Sequence, residues 1–186
     1  LHVAQGRMPA GLARELGMPY ATFNLKLSDS KELGPYGKDD LELFFSSNKG
    51  HEMMPLSKIA SGGELSRIML SLKECLAQSA AVGVYLFDEV DTGVSGNTAE
   101  KVGRKLKDIA VQQQVICVTH LPQVAACGDI HFSIQKSSHK DSVQMDVVEL
   151  NGKNRIEEIA RLISGEKITK TSLAHAEQLL HENIQA

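Results

Sequence analysis

Two short apolar runs decide most of what this chain can fold into. Val84-Tyr85-Leu86-Phe87 ends in Asp88-Glu89, and Val115-Ile116-Cys117-Val118 ends in Thr119-His120. Runs this short and unbroken read as parallel strands covered on both sides, the first from Val82 to Phe87. Ahead of the first run, Ser61-Gly62-Gly63-Glu64 opens a helix whose Leu65, Ile68, Met69, Leu72 and Leu76 fall on one face. Between the runs, a second helix from about Asn97 to Ala110 points Val102, Leu106 and Ile109 inward. Helix, strand, helix, strand in this order predicts an α/β fold with a parallel core sheet flanked by helices.

The rest of the chain arranges itself around that core. Leu12, Leu16 and Met18, with Arg14 and Glu15, mark a short helix begun at Pro9. Phe23, Leu25 and Leu27 alternate with polar residues, and Leu41 to Phe45 forms a second strand across the turn Gly34-Pro35-Tyr36-Gly37. These two predict a short antiparallel pair. Ser47 to Leu56 is polar, broken by Gly50 and Pro55, and reads as a loop. After the second apolar run come a short helix, Leu121 to Ala126, and a hairpin of Ile130–Ile134 and Val143–Leu150 turning through His139-Lys140-Asp141. Helices over Arg155–Ile163 and Ser172–Glu182 close the chain, the latter with a packing stripe of Leu173, Ala176, Leu179 and Leu180.

A net charge of −3 over 186 residues argues against a strongly basic nucleic-acid surface, though not against a local patch. Lys101, Arg104, Lys105 and Lys107 crowd one helix, either a DNA footprint or a solvated face. Aromatic residues make up 4% of the chain and tryptophan is absent, which argues against base-stacking platforms. Cys75, Cys117 and Cys127 lack ligand spacing; Cys75 and Cys117 read as buried, reduced core residues of a cytosolic protein. No run has the length of a membrane span. The first residue is Leu1, which reads as a piece of a longer or processed protein.

The chemistry gathers at three places. Asp88 and Glu89 stand where a strand runs out at its carboxyl end, the ligand side of an open α/β sheet. There one carboxylate can hold magnesium and the other polarise a water, or the pair simply ends the strand. Ser61-Gly62-Gly63 precedes a helix directly; its bare amides can cradle an anion, or the glycines only make a turn. His120 either contacts a terminal phosphate or is a hydrogen-bonded structural residue, and Thr119 can satisfy local backbone. A phosphate loop of the form G-x-x-x-x-G-K-[ST] is absent from the chain.

Taken together, the order and spacing of these motifs resemble ABC-type ATPases, and within them the SMC-like branch, because Glu64 stands where transporters have Gln. The runs Leu56–Arg67, Phe87–Gly96 and Val118–Ala125, with the endings Glu158–Ile163 and Ser172–Ala176, resemble the RecN family of bacterial DNA repair proteins. That resemblance runs from about Gly17 to Leu180. It implies a P-loop NTPase-like fold, the C-terminal lobe of an ABC/SMC head over 18–186, with 1–17 as the end of a coiled coil. It implies ATP and Mg2+ as ligands, with Ser61, Gly62, Gly63 and Glu64 as the signature facing a partner head's nucleotide. Asp88 would serve magnesium, Glu89 would be the catalytic base and His120 the switch histidine. The D-loop position usually held by Asp carries Ser95 here, which leaves Asp91 as the participant. Arg67 would couple head closure to the coil, or be a solvated helix charge. A transporter ATPase fits less well, since Val90 replaces the usual Pro after Asp88-Glu89.

The implied partners are an N-terminal Walker A lobe, a second head in a homodimer, and DNA, with no membrane. The implied function is ATP hydrolysis in recombinational repair of double-strand breaks, on the nucleoid in the cytoplasm. Alone, the chain would be inactive; the competing reading is a non-catalytic docking lobe.

Overall fold

The computed structural model describes residues 7–35, 37–59, 62–76, 83–139 and 142–184. The chain divides into two compact units, one ending at Val118 and the other beginning at Thr119.

The first unit opens with helix α1 (Arg7–Glu15), which buries Ala10 and Ala13. It stops at Gly17, whose φ of +85° is the left-handed conformation that ends helices at low cost. Strands β1 (Thr22–Gly34) and β2 (Gly37–Ser46) pair antiparallel, with Phe23 opposite Phe45 and their rings 5.0 Å apart. This hairpin is longer than the alternation of apolar residues predicts. Beyond Leu27 and Leu41 its outer half is polar apart from the exposed Leu33, and so gives no alternation to read. Strand β3 (Met54–Pro55) adds to β2, followed by a single 3-10 turn over Leu56–Lys58, inside the segment read as a loop. Proline is tolerated there because β3 lies at the sheet edge.

Helix α2 (Gly62–Leu76) buries Ile68 as the periodicity requires, but also Leu70, Ser71 and Arg67. Strand β4 (Val84–Asp88) pairs parallel with β5 (Gln114–Val118), and helix α3 (Gly96–Ala110) connects them, burying Val102, Leu106 and Ile109. Lys105 of α3 reaches Glu74 of α2 at 2.8 Å and Glu15 at 3.7 Å, so one member of the basic cluster joins three helices instead of facing solvent.

One expectation fails in this unit. Tyr85 and Phe87 are buried, but Val84, Leu86, Ile116 and Val118 on the opposite face are exposed, Leu86 by 68%. Within the first unit, the described residues thus cover the β4–β5 ribbon on one side only; Val82 and Ser61 lie outside the described residues. Cys117 is half-buried, as is Cys75, while Cys127 is the buried cysteine; none of the three is in a disulfide.

The second unit holds helix α4 (Pro122–Cys127), the antiparallel hairpin β6 (His131–His139) and β7 (Ser142–Leu150), and helices α5 (Gly152–Ser164) and α6 (Lys170–Ile184). The hairpin turn at Lys140 and Asp141 is outside the described residues. Ala125, Ala126, Ile159, Ala160, Ala176 and Leu179 form the core, with Leu173 and Leu180 packed against it. Arg155 of α5 donates to the carbonyls of Ala126, Gly128 and Asp129, satisfying acceptors that the end of α4 leaves open. Thr169 and Ser172 cap α6 reciprocally: each backbone N–H donates to the other's hydroxyl oxygen, at 2.9 and 3.1 Å.

Ile159 has no exposed surface in that core. Ile159→Ala should lower stability by about 2–5 kcal/mol in chemical denaturation, through lost burial and the cavity left behind.

Candidate functional site at the amino end of the glycine-led helix

β4 delivers Asp88 to the carboxyl end of the ribbon, on the same face as Val84 and Leu86, and Asp88 is exposed there. The chain then turns sharply. Glu89 takes φ +56°, the sole non-glycine residue with positive φ among the described residues. That conformation is sterically disfavoured for a side chain of this size and is held by about 1–3 kcal/mol of surrounding contacts. Behind it, the Thr92 N–H donates to the Glu89 carbonyl at 3.1 Å and the Val94 N–H to the Asp91 carbonyl at 3.2 Å. Val90 and Asp91 are buried beneath the turn.

The amino end of α2 lies against this turn, and its two glycines explain how. A Cβ on Gly63 would stand 2.7 Å from both the Cβ and the carbonyl oxygen of Thr92, closer than carbon side chains come. A Cβ on Gly62 would stand 3.1 Å from the Glu89 carboxylate. The carboxylate of Glu89 thus sits beside the helix end where free N–H groups concentrate positive potential.

Two side chains fasten the contact. The Ser66 hydroxyl donates to the Asp88 carbonyl at 3.0 Å, and Arg67 Nη1 donates to the Thr92 carbonyl at 2.6 Å. Arg67 is 9% exposed, so the alternative of a solvated helix charge is corrected. Burial lowers its pKa from the ordinary arginine value, and the neighbouring Glu64 carboxylate offsets part of that. Burial, with Asp91 and Asp88 nearby, pushes the Cys117 thiol up to about 12, which keeps it protonated and unreactive at neutral pH.

Of the residues singled out in the sequence, Gly62, Gly63, Asp88 and Glu89 meet at this point, with Asp91 buried behind the turn and Glu64 in the first turn of α2. Ser95, exposed, precedes α3 and accepts the Thr98 N–H through its backbone carbonyl at 3.2 Å, with no side-chain cap. His120 is exposed and belongs to the second unit. There the Thr119 hydroxyl accepts the Leu121 N–H at 3.0 Å and turns the chain into α4, which begins at Pro122. Sequence reasoning missed Ser66 and Thr92. A serine one turn into an amphipathic helix carries no signal until the strand end it grips is known.

A metal would find a hard-oxygen donor at Asp88. Among the described residues no group of three or more acidic, histidine or cysteine side chains converges. Magnesium binds one or two carboxylates and takes its other ligands from water and phosphates, so a single carboxylate such as Asp88 can serve it.

No family model matches the chain. It is 40% identical over 176 residues to the DNA repair protein RecN of Treponema pallidum, covering 91% of this chain and 31% of that protein. To RecN of Halalkalibacterium halodurans it is 43% identical over 171 residues, covering 90% and 30%. The matched part is a C-terminal segment, so the chain spans about a third of the length of these relatives. Among solved structures, the Smc head domain with a coiled coil and joint from Pyrococcus yayanosii matches with a TM-score of 0.60 at 21% identity, over 88% of this chain and 29% of that one. A structure from work on ATP-driven dimerization and DNA-stimulated activation of SMC ATPases matches with a TM-score of 0.52 at 20% identity, over 88% of this chain and 94% of that one. The fold is that of an SMC head lobe.

The two glycines should respond differently to alanine. In a helix, alanine is favoured over glycine by about 1 kcal/mol. Gly62→Ala meets only the mobile end of Glu89 and should be neutral or stabilising by thermal melting. Gly63→Ala meets backbone and should lower Tm. Equal effects would mean that the close approach does not exist.

Proposed function

We propose that this chain, similar over 91% of its length to a RecN DNA repair protein, is the signature-bearing lobe of an SMC-type ATPase head. In this reading the complete head binds and hydrolyses ATP between two paired copies and works in the repair of broken DNA. The observation that carries it is the one-sided β4–β5 ribbon. Its bare face presents Val84, Leu86, Ile116 and Val118 and ends at Asp88 beside the glycine-led helix. An apolar face running up to a carboxylate is a sheet awaiting another layer. A lobe bringing the phosphate loop would cover it and complete the site.

The chemistry then divides among named residues. Asp88 would hold magnesium, which when bound neutralises charge on the phosphates. Glu89 would accept a proton from the attacking water as its oxygen closes on the terminal phosphorus, and ADP would leave with the bridging oxygen. Gly62 and Gly63 would offer helix-end N–H groups, and Ser61 its hydroxyl, to the terminal phosphate held by the other head, with Glu64 in the same motif and Asp91 in the turn between heads. His120 would contact a terminal phosphate and report its loss. Residues 1–17 would belong to the returning coiled coil and 18–186 to the lobe.

ATP-driven dimerization and DNA-stimulated activation are described for the SMC ATPases in the comparison. The same two partners, a second head in a homodimer and DNA, are proposed for this protein. No helix among the described residues is long and apolar enough to cross a membrane. The reading puts the protein in the cytoplasm, on the nucleoid.

Magnesium-dependent ATP hydrolysis by the full-length protein, set against this chain alone, tests the proposal. Activity should require the full length; turnover by this chain alone would sink the half-site reading. Silence in both, with the two lobes still co-purifying, would favour a docking lobe without catalysis. In the full-length protein Glu89→Gln should retain ATP binding and lose about 10²–10⁴-fold in turnover, the range of a general base. Leu86→Glu should weaken the association of the two lobes, read by co-purification of the separately expressed halves.

A further inference from the structure

The turn carrying Glu89 is gripped on both sides by consecutive residues of one helix. Ser66 holds the carbonyl of Asp88, one residue before Glu89, at 3.0 Å; Arg67 holds that of Thr92, three residues after it, at 2.6 Å. Gly63 lets Thr92 approach, since any Cβ there would collide with it. Between the two grips Glu89 keeps its left-handed backbone, φ +56°. A hydroxyl and a guanidinium bound to two carbonyls four residues apart fix both the position and the twist of the segment between them.

Arg67 is placed for this and for little else. It is buried, Nη1 makes its one side-chain hydrogen bond among the described residues, and its Nε is buried without a partner there. A buried arginine spending a charge-assisted bond on one main-chain carbonyl stabilises the fold poorly compared with an apolar residue of its size. Its value lies in where it holds Thr92.

We propose that Ser66 and Arg67 are positioning residues: by gripping the carbonyls of Asp88 and Thr92 they hold Glu89 in its left-handed conformation against the amino end of α2. The helix and the turn then move as one body. A displacement of the helix end, such as engagement of the glycine motif by a second head, is passed to Glu89 by those two bonds. This rests on the role of Glu89 as base proposed above.

The test uses the full-length protein with Arg67→Ala, Arg67→Lys, Ser66→Ala and Glu89→Gln. Hydrogen exchange without nucleotide reads the grip directly, at the amides of Thr92 and Val94, which are bonded within the turn. Arg67→Ala should speed exchange at these amides while leaving the centre of α3 unchanged. It should lower kcat by about 10–100-fold, as displacement of a catalytic group by an ångström does, with KM for ATP within about twofold. Arg67→Lys, which can still reach one carbonyl, should recover part of both losses. Ser66→Ala, a small change at a half-buried site, should show the same pattern more weakly if Arg67→Ala folds poorly.

Unchanged kcat in Arg67→Ala, or faster exchange spread evenly through α2 and α3, would overturn the proposal and leave a structural arginine. Glu89→Gln separates the two readings. Full turnover in that variant removes the base role, whatever Arg67 does. Lost turnover there, with Arg67→Ala active and its turn protected, removes only the grip.

Discussion

The lack of a side chain at position 63 is the constraint from which the geometry around Asp88 and Glu89 follows. With 2.7 Å between a Gly63 Cβ and the backbone of Thr92, no other residue lets α2 rest on the turn after β4. That seating brings Ser66 and Arg67 within bonding distance of two carbonyls, and those bonds leave Glu89 the left-handed backbone it adopts. The ordinary reason for glycine at a helix start is permissive φ. Neither Gly62 nor Gly63 has positive φ, so the reason here is space.

The open face of the β4–β5 ribbon has the opposite character. Four exposed aliphatic side chains in adjacent register are costly to leave in water, roughly 25 cal/mol for each Å2. Natural monomers seldom leave such a face beside a carboxylate without a use for it. The proposed second lobe resolves both facts at once, because the layer that covers Leu86 would also bring phosphate-binding groups to Asp88.

Much of this was legible in the sequence, and the misses have physical causes. Helix α3 and the closing helices follow from spacing, since each buries one periodic face, and the two parallel strands from their unbroken apolar runs. The burial of Arg67 was open in the sequence, because a charge in a helix announces its surroundings only when its acceptor is known, and the Thr92 carbonyl lies 25 residues away. The two-sided burial of β4 was wrong for this chain. An unbroken apolar run records that both faces are suited to burial, and one of those faces is exposed among the described residues. The outer half of the β1–β2 hairpin was invisible because Asp29 faces Asp39 and Ser28 faces Asp40, a pairing without hydrophobic alternation.

Strain and clamp together suggest how a split site can be kept idle until it is complete. A left-handed glutamate relaxes if either flanking carbonyl is released, so its carboxylate direction depends on the grip of α2 as well as on β4, which carries it in sequence. The proposed metal residue, Asp88, depends on the strand. Two adjacent carboxylates are thereby referred to two different bodies: Asp88 to the sheet that the first lobe would cover, Glu89 to the helix that a second head would engage. In such an arrangement both carboxylates reach working geometry only when both bodies are in place. Adjacency in sequence then makes Asp88-Glu89 the point where lobe docking and head pairing meet.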